Sequence, residues 1–236
     1  MTIDGKRDGY FHLFKFDSKR NTLTTYLPCE GEGEIISRGW GLMKFYSLCG
    51  NRALINISSI DTFYCLTSTG ELYPQYAIDI LHKKLPDHLR TGNGTTAMMA
   101  SIEYGYDMGV VNIVETLRYL FLKLTSEGRY AVYDKKEKEI VATPLTFSVL
   151  SFIKRFTFPI DFSSNDGSLI VTSVSGYHMY DLNQFIKEQK ANKTWKEGDI
   201  TTAFEKEYFK VIENTTDPDA NPVLFIFKMK DEDERY

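Results

Sequence analysis

The chain has 236 residues, with 28 basic against 32 acidic side chains and a formal net charge of −4. That balance offers no basic excess to neutralise a phosphate backbone or an anionic membrane surface, which argues against nucleic acid and membrane-surface partners. No run of about 18 apolar residues is present to span a membrane, and residues 1–9 as written lack the apolar core and small-residue cleavage site of a signal peptide.

The 15 Tyr and 16 Phe suit half-buried pleated strands better than helices, so an all-β chain is expected. In chain order, strands are predicted over 13–17 and 22–28, joined by the polar turn 18–21. An acidic connection follows at 30–34, then apolar strands within 42–58. Strands over 61–66 and 71–79 flank the turn 67–70. Residues 82–108 read as a loop insertion, because Gly92-Asn93-Gly94-Thr95-Thr96 is turn chemistry, with Met98-Met99-Ala100 as a short apolar piece. Further strands are expected within 110–125, over 130–134 and over 139–146, with the turn 135–138 between the last two. Residues 156–175 read as two strands broken by the turn Asn165-Asp166-Gly167. A strand over 177–181 precedes helical spacing at Leu182, Phe185 and Ile186 and at Phe204, Tyr208, Val211 and Ile212, with the second helix ending by 214–218. A last strand covers 223–229, before a charged tail.

A repeat runs through these elements. Tyr130-Ala131-Val132-Tyr133-Asp134 is matched by Tyr177-His178-Met179-Tyr180-Asp181 and more loosely by Leu13-Phe14-Lys15-Phe16-Asp17. With Phe16, Tyr64, Tyr133 and Tyr180 as marks, subtraction gives intervals of 48, 69 and 47 residues. A period of about 40–50 residues holding about four short antiparallel strands is a propeller blade. The predicted fold is therefore a β-propeller arc of three to four antiparallel four-stranded blades. Its parts are the outer strands of a partial blade at 1–28, a blade at 29–80, and a blade at 81–145 carrying the insertion 82–108. The last blade, 146–236, is interrupted by a helical insertion at 181–214.

Two stretches carry a resemblance. Ile60-Asp61-Thr62-Phe63-Tyr64-Cys65-Leu66 with Gly70-Glu71-Leu72-Tyr73-Pro74-Gln75-Tyr76-Ala77-Ile78-Asp79 resembles the D-T-φ-Y-x-φ and G-x-φ-x-P-x-Y-x-φ-D strand pair of the six-bladed β-propeller family common in Bacteroides-type bacteria. Residues 221–230 resemble that family's C-terminal strand. The resemblance implies a propeller and a periplasmic or cell-surface lineage, and it transfers no catalytic residue. Only about half the family's blades are present here. An open arc exposes sheet edges, so closure calls for upstream blades, for a homodimer completing the ring, or for cover by the helical insertion.

Chemistry is sparse in this sequence. His12, His82, His88 and His178 show no shared ligand spacing, so no metal is expected, and neither a nucleotide loop nor a Gly-x-Ser-x-Gly elbow is present. No cofactor is assigned. The three cysteines, Cys29, Cys49 and Cys65, are expected as buried thiols, with a Cys49–Cys65 bridge open as an alternative. Four Asn-x-Ser/Thr sequons begin at Asn56, Asn93, Asn192 and Asn214. The ligand-binding candidates are aromatic and charged residues in the connections: Arg38, Trp40, Lys44, Glu103, Tyr104, Tyr106 and Asp107. They point to a non-enzymatic binding module for a saccharide, peptide or protein partner. The alternative is a metal-dependent, lactonase-like hydrolase whose site is completed by another subunit or by missing blades.

Overall fold

Three strands, Phe11–Asp17, Thr62–Thr67 and Tyr130–Asp134, are rich in aromatic and aliphatic residues up to a terminal Asp or Thr, and the chain turns back on itself there. This pattern recurs along the computed structural model, which describes residues 2–3, 11–28, 46–57, 61–77, 79, 84–106, 109–124, 130–142, 160–194 and 203–228. The fold is mostly β, with fourteen strands and four helices among the described residues. The strands are β1 (Thr2–Ile3), β2 (Phe11–Asp17), β3 (Thr22–Pro28), β4 (Tyr46–Cys49), β5 (Arg52–Ile55), β6 (Thr62–Thr67), β7 (Leu72–Ala77), β8 (Val110–Glu115), β9 (Tyr119–Leu124), β10 (Tyr130–Asp134), β11 (Glu139–Ala142), β12 (Phe162–Ser163), β13 (Leu169–Val174) and β14 (Val223–Lys228). The helices are α1 (Asp87–Arg90), α2 (Gly94–Tyr104), α3 (Gly176–Ala191) and α4 (Ala203–Asn214). Four sheets result, ordered β1-β3-β2, β4-β5-β6-β7, β8-β9-β10-β11 and β12-β13-β14. β1, which sequence reasoning did not anticipate, pairs with β3 in parallel.

The last three sheets are meanders whose hairpins are tight at one end of the strands and long at the other, while the first joins the β2–β3 hairpin to a parallel β1. The repeat at the tight end has a physical basis. At the close of β2, Asp17 Oδ1 accepts the backbone N–H of Lys19 (2.9 Å) and Arg20 (3.1 Å). At the close of β10, Asp134 Oδ1 accepts those of Lys136 (2.9 Å) and Glu137 (3.2 Å). Both turns finish on a left-handed residue, Asn21 at φ 52° and Lys138 at φ 59°. The β6–β7 turn uses a hydroxyl instead, Thr67 Oγ1 accepting from Glu71 N–H at 3.0 Å, and reaches positive φ at Gly70. Within β7, Pro74 lies on an edge strand at a register shift opposite Phe63 and Tyr64, where its missing N–H costs no ladder bond.

Two sequence expectations are corrected here. Tyr177-His178-Met179-Tyr180-Asp181 is the start of α3, not a strand, so Tyr180 is not a repeat mark and the helical insertion begins before residue 181. Ser175 caps that helix, its Oγ accepting from His178 N–H at 3.2 Å. Met179, Leu182 and Ile186 are all buried at helical spacing. The strand expected over 177–181 is supplied by β14, which pairs with β13 from Leu169↔Lys228 to Val174↔Val223. Residues 94–104, expected as loop, form α2: Asn93 Oδ1 accepts from Thr96 N–H at 3.2 Å, and Ala97 and Ala100 bury the inner face.

The chain divides into two units. The first comprises Met1–Tyr46, Arg52–Ile113 and Leu122–Arg129, and its core includes Leu54, Phe63, Cys65 and Ile113, all at most 1% exposed. Lys15 of β2 extends over the β6–β7 turn, so that a side chain at Gly70 would collide with it. The second unit comprises Ser47–Asn51, Val114–Phe121 and Tyr130–Tyr236. One of its clusters joins Val114, Phe121 and Val132 to Ile160 and Ile170, with Tyr119 and Phe227 against them. Another joins Val174 and Phe225 to Met179, Leu182, Ile186, Tyr208 and Ile212 of α3 and α4. Asn183 ties the two helices together, donating to the carbonyls of Glu213 (3.1 Å) and Thr215 (2.9 Å).

Within the second unit three equivalent turns interlock. Gly50 N–H of the β4–β5 turn donates to Asn165 O (2.5 Å), and Leu117 N–H of the β8–β9 turn donates to Gly167 O (3.3 Å). The buried Ser47 hydroxyl accepts from Glu115 N–H at 2.8 Å. Gly167, at φ 72°, has no room for a side chain: a Cβ there would lie 2.7 Å from Leu117 N and 3.0 Å from Cys49 Sγ. Beside it, the Ser164 hydroxyl (2.5 Å) and then the Ser168 N–H and hydroxyl hold the Asp166 carboxyl at about 2. That contribution to stability is complete above the usual carboxylate range and is lost as pH falls through about 2.

Two ion pairs fasten this region to the β10–β11 turn. Lys135 Nζ donates to Glu115 Oε1 (3.1 Å) and to Thr116 O. Arg118 grips Asp134 Oδ2 through Nε (2.8 Å) and Nη2 (2.7 Å), and this guanidinium, ahead of the turn N–H groups, holds the Asp134 carboxyl below its usual range. Both Glu115 and Asp134 are shut off from water, at 0% and 1% exposure, so removing a cation strands a charge. Lys135→Met is expected to lower the unfolding free energy by about 3–5 kcal/mol in urea titration. Pairing it with Glu115→Leu should recover much of that loss.

Candidate binding site at the long connections

The β7–β8 connection holds the sequence-predicted candidates that fall among the described residues, and it is built on α2. Gly105 ends α2 in the left-handed conformation, at φ 65°. This sharp stop directs Tyr106 back beside the last helical turn. Three of the sequence-predicted candidates therefore come together here: Glu103, Tyr104 and Tyr106. The two tyrosine rings sit 5.9 Å apart at 54°, and Tyr104 is 52% exposed. The Glu103 carboxylate hydrogen-bonds the Tyr104 hydroxyl, and with its charge raises that hydroxyl's pKa above the ordinary tyrosine value. Arg38, Trp40, Lys44 and Asp107 lie outside the described residues.

Chemically the cluster offers an accessible aromatic surface beside a hydrogen-bonding carboxylate, on a helix end fixed by its cap. α2 extends this surface with Met99, part of the predicted apolar piece 98–100, and with Ile102, which the sequence did not mark; they are 56% and 61% exposed. Their spacing of three is the available signal, a helical one that the loop expected over 82–108 does not use.

Two further features of the first unit were missed. Lys84 bonds Asp61, joining the β5–β6 and β7–β8 connections; Asp61 was legible only as part of the D-T-φ-Y pattern. Asn56, 1% exposed, donates its amide to Val110 O at 2.5 Å, while its Oδ1 meets no hydrogen-bond partner among the described residues. That burial also removes Asn56 as a glycosylation acceptor, and Asn93 is occupied as the α2 cap.

Other candidate chemistry is limited. Cys49 and Cys65 are both buried thiols outside any disulfide, so the alternative of a bridge between them is not realised, and Cys29 lies outside the described residues. Among the described residues no group of three or more His, Cys, Asp and Glu side chains is placed to hold a metal ion. No described helix is long and apolar enough to cross a membrane.

No protein family and no curated protein matches the chain. Among solved structures it is similar to a candidate exported protein from Bacteroides fragilis, with a TM-score of 0.58 at 14% sequence identity. The match covers 97% of this chain and 60% of that one, so the chain spans about 60% of its neighbour's length. At that identity the likeness speaks to fold.

The Tyr104–Glu103 contact is directly checkable. Glu103→Gln is expected to bring the Tyr104 pKa down toward the ordinary tyrosine value, read from the pH titration of its ring NMR signals. The other tyrosines should be unmoved.

Proposed function

We propose that this chain is a non-enzymatic binding module, a β-propeller arc of three to four blades that takes its ligand at the long-connection end of its sheets, on the cell surface or in the periplasm. The observation that carries the reading is the exposed Tyr104–Tyr106 pair with Glu103 beside it, held on a capped helix end. Rigid scaffolds place recognition groups in their connections. Aromatic anchors beside a charged hydrogen-bonding group are the composition of binding hot spots. A saccharide fits this chemistry best: its C–H face lies on a tyrosine ring and its hydroxyls reach the Glu103 carboxylate. A peptide or protein presenting an apolar side chain and a hydrogen-bond donor is the neighbouring possibility.

The arc reading draws its support from the three sequential meanders β4-β5-β6-β7, β8-β9-β10-β11 and β12-β13-β14 and from the recurrent Asp-capped turns of β2 and β10. Export is supported by the structural neighbour's description.

Screening the protein against glycan and peptide arrays tests the reading. A ligand found there should bind Tyr104→Ala on the order of 10–100-fold more weakly by calorimetry, with the unfolding transition unchanged because the side chain is exposed. Binding indifferent to Tyr104 and Tyr106 would remove the site from consideration.

A further inference from the structure

The outward side of α2 sets one polar acceptor among apolar groups. Its inner side is buried through Ala97 and Ala100, while Met99, Ile102 and Tyr104 are exposed. Met99 lies three residues before Ile102 and four before Glu103. At those spacings side chains on a helix are neighbours, with Cβ atoms about 5–6 Å apart. Glu103 in turn accepts from the Tyr104 hydroxyl, and the Tyr104 ring lies beside that of Tyr106. One surface therefore runs from a thioether and an aliphatic side chain, across a carboxylate, to two aromatic rings. All of it belongs to the first unit.

Each part limits what the surface accepts. Glu103 is the one charged side chain in residues 91–106, so the surface is acidic, and like-charge repulsion disfavours a uronate, sulfate or phosphate group there. An ionised carboxylate is acceptor-only, with about four lone-pair sites. The Tyr104 hydroxyl uses one of them, and the others call for N–H or O–H donors from a ligand. Met99 and Ile102 answer neither charge nor hydroxyl: a hydroxyl pressed against them loses its hydration without compensation, whereas a methyl group gains by leaving water. An acetamido group meets both neighbours at once. Its N–H is a donor for Glu103, and its methyl, at the other end of a planar amide, reaches the Met99 and Ile102 side. A free amine pairs with Glu103 but leaves the apolar side in water, and a plain hydroxyl does the same with a weaker bond.

We infer that the ligand of this surface is a saccharide carrying an N-acetylated amino sugar, with its ring on Tyr104, its amide N–H on Glu103 and its methyl against Met99 and Ile102. The inference rests on the saccharide reading of the same site and narrows it from any sugar to one substituent.

A glycan array paired by substituent tests it, with N-acetylglucosamine, N-acetylgalactosamine and N-acetylmannosamine glycans each set beside hydroxyl, free-amine and uronate counterparts. Calorimetry of the full chain on a bound pair should show the acetylated member binding on the order of 10-fold more tightly than its hydroxyl counterpart, from one methyl and one charge-assisted hydrogen bond. Ile102→Ser should bring that ratio down toward unity. Tyr104→Ala should weaken both members and preserve the ratio. Both side chains are exposed, and circular dichroism of each variant should match that of the unaltered chain. Tyr104-dependent binding that is equal for the two members, that prefers the free amine or the uronate, or whose ratio survives Ile102→Ser overturns the acetamido assignment and leaves the saccharide site standing. An array on which no glycan binds through Tyr104 removes the site itself, and this inference with it.

Discussion

Glu115 has no access to water, and its carboxylate is answered by the Lys135 ammonium, which also binds the carbonyl of Thr116. A charge held this way is tolerated only with its counter-charge in place, so the position of the β8–β9 turn relative to the β10–β11 turn is dictated within narrow limits. Arg118 and Asp134 repeat the constraint one residue pair further along. Because Glu115 also donates its N–H to Ser47, and Leu117 donates to Gly167, the same few residues locate the turns of three sheets. Within the second unit, hydrophobic burial alone would leave these turns free to slide past one another; fixed charges and turn-to-turn bonds remove that freedom.

Positioning at the tight-turn end leaves the other end of each meander available for variation. The connections there are long enough to hold helices: α1 and α2 between β7 and β8, and α3 and α4 between β13 and β14. The two insertions are stabilised differently. α3 and α4 bury a face of Met179, Leu182, Ile186, Tyr208 and Ile212 against β14. The Tyr208 ring meets Phe225 edge-on at 5.0 Å, and burial drives its hydroxyl pKa well upward. α2 instead buries only small residues and keeps Met99, Ile102 and Tyr104 on the outside. An apolar helix surface left in water at a loop-rich end is a cost that a binding function would offset.

The strands were legible because they follow period-two patterning between recognisable turns. β2, β3, β6, β10 and β14 fall within a residue or two of their predicted spans, and the match between Leu13-Phe14-Lys15-Phe16-Asp17 and Tyr130-Ala131-Val132-Tyr133-Asp134 reflects one turn chemistry used twice. The similar string ending in Tyr180-Asp181 misleads for a physical reason. Tyr-x-x-Tyr-Asp suits a strand by its aromatic composition and a helix by its i, i+3 spacing, and the decision lies with the Ser175 cap and with Leu182 and Ile186 downstream. α2 was illegible for a related reason, since Gly92-Asn93-Gly94 is turn chemistry that here serves as a cap. The buried pairs were also out of reach: Glu115 and Lys135 are twenty residues apart, and only tertiary structure brings them together. At the candidate site, Glu103, Tyr104 and Tyr106 are close in sequence and so needed little of the fold to meet, while Lys84 with Asp61 needed it.

The interlocked turns make the most direct test. Native-state hydrogen exchange of the Gly50 and Leu117 amides, both in turns but both bonded to the β12–β13 hairpin, distinguishes a positioned cluster from three independent hairpins. Exchange as slow as that of the buried strand amides of Ile113 and Leu120, and lost only on global unfolding, is the expected result. Exchange at the rate of an ordinary solvent-exposed turn would contradict it.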